Sequence, residues 1–171
     1  MDLSSIEKEA IKKVYKQIKK KFPYLKTLLT TYFDGLKDNT DLAASLPVCA
    51  LHLDLVRCPE QLQEVLPQLN NVMSLSLGII DGRNIWKNDF QKSLNIIKTA
   101  VEKIGSDRVI LAPSCSLLHC PCDLANENDD NSLLSEVKKW MAFARQKLEE
   151  VVVLEKLLNS NTNSAYSSLL K

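Results

Sequence analysis

Thiol and imidazole side chains crowd into one short stretch of this chain. Residues 112–122 contain four side chains of the kinds that bind transition metals, namely Cys115, His119, Cys120 and Cys122. These ligand types suit zinc, but structural zinc sites favour pairs separated by about two to four residues. A single residue separates Cys120 from Cys122, so the spacing favours ordinary thiols. A small zinc- or thiol-binding protein, with His52 completing the site, stays open as an alternative.

Carboxylates and basic groups follow two other apolar runs. Asp54 lies within His-Leu-Asp-Leu-Val-Arg at 52–57, and Asp81 opens Asp-Gly-Arg-Asn at 81–84. At a strand end either carboxylate could serve as an acid, a base or a ligand. Either could instead accept backbone N–H groups from its own loop, and Arg57 could pair with either of them. The sequence shows no glycine-rich phosphate loop and no nucleophile-elbow serine.

Four apolar runs and the helical patterns around them must position these side chains. The runs predict strands over 25–33, 48–56, 72–80 and 108–112. Apolar periodicity predicts helices over 5–22, 41–46, 59–69, 88–104 and 132–158. Alternating strands and helices predict an α/β fold with a parallel sheet. Four such units fit half of a (β/α)8 TIM barrel, which typically needs about 250 residues, or a small doubly wound sheet.

Two helix ends carry specific signals. Ser4 and Glu7 have the spacing of a capping box at the start of the first helix. Lysines cover the rest of that helix and are best explained as a solvated face. Gly105 follows the apolar pattern of the fourth helix and predicts its C-terminal cap.

Composition excludes several classes of protein. The chain has 171 residues, a formal net charge of +1 and 6% aromatic residues. That balance fits one soluble domain and gives no reason to expect nucleic acid as a partner. No apolar run approaches the ~20 residues that span a bilayer, and the first residues do not resemble a secretory signal. Five cysteines without such a signal predict reduced thiols and a cytoplasmic location.

Several longer strings carry a family resemblance. They are Leu-Thr-Thr-Tyr-Phe-Asp at 29–34, the strings at 52–57 and 81–86, Pro-Ser-Cys-Ser-Leu-Leu-His at 113–119, and Lys-Trp-Met-Ala-Phe-Ala-Arg-Gln-Lys at 139–147. In this order they resemble the N-terminal domain of the cobalamin-independent methionine synthase family. The resemblance runs from about Leu28 to Leu158. It implies the C-terminal half of that domain, with an extra N-terminal helix and a long C-terminal helix.

The resemblance also implies a reaction. The family's enzymes have two barrels and transfer a methyl group from 5-methyltetrahydrofolate polyglutamate (5-methyltetrahydropteroyltri-L-glutamate) to homocysteine. A zinc ion in the C-terminal, catalytic barrel activates the homocysteine thiol and is held by one His, two Cys and one Glu. Overlaid on that barrel, Asp54, Val56 and Gly78 fall at or near three ligand positions, and only Cys115 matches its ligand type.

One matching ligand cannot hold catalytic zinc, so the resemblance implies a degenerate strand-end site and no cofactor bound by this chain. The residues assigned to that site are His52, Asp54, Asp81, Arg83, Asn84, Cys115 and His119. Whether the chain counts as an enzyme is left open, because its family is catalytic while the catalytic barrel lies outside this sequence. A structural role without turnover is the expectation.

The predicted organisation is a helix at 1–23, a half-barrel at 24–158 and a disordered tail at 159–171. Half a barrel leaves its first and last strands with open edges, and its inward-facing apolar side chains lack opposite partners. We therefore expect one of three partners: a complementary barrel half, the catalytic domain, or a second copy in a homodimer.

Overall fold

Four parallel strands form the centre of the fold and lie in chain order, β1-β2-β3-β4. They are Leu28–Thr30 (β1), Ala50–Asp54 (β2), Ser74–Ile80 (β3) and Val109–Pro113 (β4). These bounds come from a computed structural model, in which we describe residues 3–127 and 132–159, without the side chains of 132–134. Each strand pairs with its predecessor, as successive βα units of a barrel do. The predicted α/β architecture is confirmed.

The helices between and around the strands are Ser5–Lys21 (α1), Thr40–Ser45 (α2), Gln61–Val65 (α3), Phe90–Ile104 (α4), Ser132–Lys138 (α5) and Ala144–Asn159 (α6). The predicted capping box is present, with the Ser4 hydroxyl accepting from the Glu7 N–H and the Glu7 carboxylate accepting from the Ser4 N–H. Helix α4 ends at Ile104 and is capped by Gly105, as predicted; the φ of 84° at this position favours glycine.

The single long helix predicted over 132–158 is wrong. Helix α5 ends at Lys138, a turn follows at 139–140, and Met141 then pairs with Trp86 in an isolated antiparallel bridge. The Ala142 N–H donates to the Ile85 carbonyl at 2.8 Å, so this backbone is bonded to the segment after β3 and not to a helical turn. The predicted tail lies outside the described residues except for Asn159, which ends α6.

The break between α5 and α6 also changes which side chains point inward. Trp140 and Leu148, which would lie on the inward face of a single helix over 132–158, are 70% and 54% exposed. Lys147, Glu150 and Leu154 are the buried positions of α6. A helix that restarts after a turn and an isolated bridge begins a new phase, so periodicity carried across the break selects the wrong face.

The apolar core lies on the helix-covered face of the sheet. Leu51 and Leu53 of β2 and Leu75 and Leu77 of β3 pack in one cluster with side chains from the helices. Because side chains alternate along a strand, the opposite face carries Ala50, His52 and Asp54 of β2, and Ser74, Ser76 and Gly78 of β3. That face is small or polar, contrary to the expected apolar inner face.

Among the four described strands, the exposed large apolar side chains are on the two edge strands. Leu28 of β1 and Ile110 of β4 share the polar face of the sheet and are 50% and 44% exposed. Helix α1 has no buried residue, and its Ile6 and Val14 are 80% and 51% exposed. No helix in the described part of the chain is both long and apolar enough to cross a membrane.

Candidate functional site

The C-terminal ends of the strands bring several predicted site residues together. His52, on β2, is only 4% exposed and contacts both β3 and the residue that follows β4. Its Nδ1 lies 2.9 Å from the Ser76 Oγ, and its Nε2 lies 3.2 Å from the Ser114 carbonyl oxygen. A carbonyl can only accept, so Nε2 carries the proton and Nδ1 accepts from the serine hydroxyl. Both ring nitrogens are therefore engaged, and neither lone pair is offered to a metal ion.

Burial lowers the pKa of His52, and the Ser114 carbonyl and Asp54 oppose that shift. The imidazole is therefore neutral in the folded protein at neutral pH. A neutral histidine, with a hydrogen bond at each ring nitrogen, holds β2, β3 and the end of β4 together.

Asp54 anchors two loops through their backbones. Its Oδ2 accepts the Phe33 N–H at 3.0 Å, and its Oδ1 accepts the N–H groups of Val56 and Arg57 at 3.2 and 3.0 Å. The carboxylate is 1% exposed. The predicted contact between Asp54 and Arg57 thus runs through the arginine backbone, while the arginine side chain is exposed. This is the loop-anchoring role that the sequence left open.

Asp81 closes the tight turn that follows β3. Its Oδ1 accepts the Arg83 N–H at 2.8 Å, and its Oδ2 accepts from the Asn84 side-chain amide at 2.9 Å. The Asn84 Oδ1 in turn accepts from the Lys147 Nζ at 3.0 Å. The strand-end turn is therefore connected to α6, which the sequence did not predict.

Two ionisable residues of α6 are buried beneath this segment, and sequence reasoning missed both. Lys147 is 1% exposed and also donates to the Trp86 carbonyl at 3.0 Å. Glu150 is 7% exposed, and its Oε1 accepts the Asn88 N–H at 2.9 Å. The Glu150 Oε2 is buried without a hydrogen-bond partner. Burial lowers the pKa of Lys147 and raises that of Glu150, and attraction between the two side chains opposes both shifts.

The thiols do not assemble into a metal site. The Cys120 Sγ donates to the Gly82 and Asn84 carbonyls at 3.0 and 3.2 Å, while Cys122 is exposed. Burial raises the pKa of Cys115 and of Cys120, so both are protonated thiols at neutral pH. Among residues 3–127 and 132–159, no three or more His, Cys, Asp and Glu side chains are grouped so that they could hold a metal ion. The alternative cluster of Cys115, His119, Cys120 and Cys122 gains no support.

Exposed side chains at the strand ends form a second group. The Arg83 guanidinium lies 4.6 Å from the centre of the Phe33 ring, and the His119 ring centre lies 5.5 Å from it. Phe33 has a φ of 79°, which is uncommon for a bulky residue, and its N–H is held by Asp54. Arg83 and His119, both predicted site residues, thus meet around a ring that the prediction did not include. We call Phe33, Arg83 and His119 the strand-end surface.

The family model and the related proteins that match this chain agree with each other. Residues 1–105 match the family described as "Cobalamin-independent synthase, N-terminal domain". The chain is 50% identical over 173 residues to the 5-methyltetrahydropteroyltriglutamate–homocysteine methyltransferase of Cytophaga hutchinsonii, covering 100% of the chain and 22% of that protein. The protein of the same name from Saccharomyces cerevisiae is 49% identical over 156 residues, covering 91% and 20%. The chain therefore spans about a fifth of these relatives.

A solved structure shares the fold. It is the crystal structure described as that of a vitamin-B12 independent methionine synthase from Listeria monocytogenes, with a TM-score of 0.59 and 15% identity. The match covers 94% of this chain and 43% of the other. At that identity the likeness supports the fold alone.

Proposed function

Because this chain belongs to the cobalamin-independent methionine synthase family and corresponds to part of its N-terminal domain, we propose that it is a structural part of such an enzyme and transfers no methyl group by itself. The complete enzyme would move the methyl group of 5-methyltetrahydropteroyltriglutamate to homocysteine, as the names of the relatives state. The zinc that activates homocysteine would belong to the catalytic barrel, outside this sequence.

One observation carries the proposal: the polar strand-end residues are already engaged with each other and with the backbone. Both nitrogens of His52 are bonded, and the oxygens of Asp54 accept three backbone N–H groups. Val56 offers no donor atom for a metal ion, and Cys115 carries a protonated thiol. We propose that Asp81 and Asn84 likewise support the loops and that Arg83 and His119 form a contact surface.

The sheet edges indicate the kind of partner that would complete this fold. Within residues 3–127 and 132–159, β1 and β4 each pair with one strand. Helix α1 precedes β1 in the chain, and α6 follows β4. A second copy would place its α1 beside α6 at the same edge, two helices where a barrel has one. A complementary half with four strands and three connecting helices avoids that conflict. We therefore propose the complementary barrel half, and beyond it the catalytic domain, as the partners.

We also propose the cytoplasm as the compartment of this protein. All five cysteines are free thiols. Structural disulfides are typical of oxidising compartments, and free thiols of reducing ones.

A direct assay tests the absence of turnover. The purified chain is incubated with zinc, homocysteine and 5-methyltetrahydropteroyltriglutamate, and we expect methionine formation at the background rate. Methionine above background that is lost in the Cys115→Ser variant would overturn the proposal.

A chimera tests the structural role. The matching segment of the Saccharomyces cerevisiae relative is replaced with this chain, and we expect methionine formation within about tenfold of the parent enzyme. The Cys115→Ala chimera should keep that rate, because no zinc ligand is removed. An enzyme lacking the segment is the matched control and should be inactive. A well-folded chimera without activity would contradict the assignment.

A further inference from the structure

The segment from Asp81 to Asp89, which joins β3 to α4, is hydrogen-bonded to α6, to the segment 140–142, and to residues 114 and 120. We call it the β3–α4 loop. Asn84, Trp86 and Asn88 of this loop receive hydrogen bonds from, or donate them to, Lys147 and Glu150 of α6. The Lys87 N–H donates to the Trp140 carbonyl at 2.8 Å, and the Cys120 thiol donates to two loop carbonyls.

Among these contacts, those with α6 carry a free-energy cost, because they require two ionisable side chains to be buried. Lys147 and Glu150 are almost fully removed from water, and one carboxylate oxygen has no partner. Removing ionisable groups from water costs several kcal/mol each, and apolar residues of similar volume are often as stabilising or more so. Stability alone therefore does not account for a lysine and a glutamate at these two positions. Unlike apolar side chains, these two residues form directional hydrogen bonds with the loop.

The loop carries a side chain of the strand-end surface. Arg83 lies two residues after Asp81 and one before Asn84, and its guanidinium is over the Phe33 ring. The Asn84 side chain bridges the Asp81 carboxylate and the Lys147 ammonium, at 2.9 and 3.0 Å. The position of Arg83 is thus tied through its neighbour Asn84 to α6.

We propose that Lys147 and Glu150 are positioning residues, which hold the β3–α4 loop and thereby keep Arg83 in place on the strand-end surface. Their role is to order this loop, and global stability does not depend on them as a pair. The inference concerns the order of the loop and does not require methyl transfer, so it can fail or hold independently of the proposed function.

Hydrogen exchange measured by mass spectrometry tests this on the full chain. In the double variant Lys147→Met/Glu150→Leu, both ionisable groups are replaced by apolar side chains of similar volume. We expect exchange of the amides at 82–88 to rise at least tenfold, while β2 and β3 keep their protection. The thermal midpoint should stay within about 4 °C of the parent, a small shift for a chain of this length.

A second readout follows the tryptophans. Trp86 lies in the β3–α4 loop, and the Trp140 carbonyl accepts from Lys87, so both tryptophans of the chain report on this segment. Acrylamide quenching should increase in the double variant. The matched control is Lys98→Met/Glu102→Leu on the exposed face of α4, which should change neither measurement.

Two results would overturn the proposal. Unchanged hydrogen exchange at 82–88 in the double variant would show that the other hydrogen bonds of the loop are sufficient to order it. Exchange that rises in β2 and β3 as much as in the loop, together with a large fall of the thermal midpoint, would show that the two residues serve stability and not position.

Discussion

His52, Asp54 and Lys147 show how polar side chains are used at the residue scale in this protein. Each is buried, and each forms hydrogen bonds with backbone groups or with neighbouring side chains. A buried polar group without a hydrogen-bond partner lowers the stability of the fold, whereas the hydrogen bonds of a paired group offset the loss of contact with water. The strand-end residues therefore fix loops and strands relative to one another, which is the function that their contacts support best.

The pH dependence of stability should report on His52. Its pKa is lowered in the folded state from the ordinary value of 6.5, so the unfolded chain takes up a proton that the folded protein resists. Stability contributed by this residue is complete above that value and is lost as the pH falls through 6.5 towards the folded-state pKa. Urea unfolding between pH 7.5 and about 5 should show a slope of at most about 1.4 kcal/mol per pH unit from this group.

The variant His52→Gln is the comparison for that measurement. Gln keeps polar atoms at a similar reach but does not titrate, so the slope near pH 6.5 should become shallower by the contribution of one proton. The matched control variant is Asn95→Gln, at an exposed position of α4, which should leave the slope as in the parent. An identical slope in His52→Gln and the parent would show that His52 is not the group responsible.

Removing one of the two buried groups of α6 should cost more than removing both. The single variant Lys147→Met deletes the bonds to Asn84 and Trp86 and leaves Glu150 buried without the opposite charge of Lys147. We expect a loss of about 3 kcal/mol in the free energy of unfolding, measured in urea. Lys98→Met, at an exposed position of α4, should change it by less than about 0.5 kcal/mol. A Lys147→Met protein as stable as the parent would refute this account of the pair.

At the scale of elements, the sheet depends on close packing between neighbouring strands. Gly78 pairs with Asp54 of β2 and with Ala112 of β4 in the parallel register. A Cβ added at Gly78 would lie 2.6 Å from the Leu53 carbonyl oxygen and 2.8 Å from the Ser114 Cα, both backbone atoms. The glycine is needed there because the backbone cannot withdraw without moving the adjacent strand.

The variant Gly78→Ala should therefore destabilise the sheet by about 2–3 kcal/mol, as overpacking of a dense interior does. Urea unfolding gives the value, and the His52 contacts next to Gly78 should loosen first. Gly105→Ala is the comparison, because its Cβ would meet only the Asp107 side chain and its cost, about 1–3 kcal/mol, arises from the backbone conformation at positive φ. If both variants lose the same small amount, close packing at Gly78 is not what constrains the sheet.

For the whole molecule, the question is what covers the sheet edges. Leu28 and Ile110 are half exposed on the edge strands, and the described sheet has an open side at β1 and another at β4. Open edges and apolar side chains beside them favour association. The positions of α1 and α6 favour a complementary barrel half over a second copy, because a second copy would place two helices at one edge of the sheet.

Mixing experiments test this choice of partner. The chain is combined with the separately produced preceding half of a relative's N-terminal domain, and light scattering after size exclusion should show a one-to-one complex. Ile110→Lys, which places a charge on the β4 edge, should weaken the complex at least tenfold. Val72→Lys, at a position 82% exposed in the loop before β3, should not. A stable homodimer that does not bind the complementary half would contradict the proposed partner.

The sequence by itself determined the elements, their order and the family, because local apolar periodicity and short-range caps depend on neighbouring residues. The four βα units, the capping box at Ser4 and the strand-end positions of His52 and Asp54 were all predictable in this way. Tertiary structure alone decided the break before α6 and the burial of Lys147 and Glu150. Those features depend on hydrogen bonds between segments about 60 residues apart, such as Lys147 with Asn84, and no local pattern encodes such a pairing.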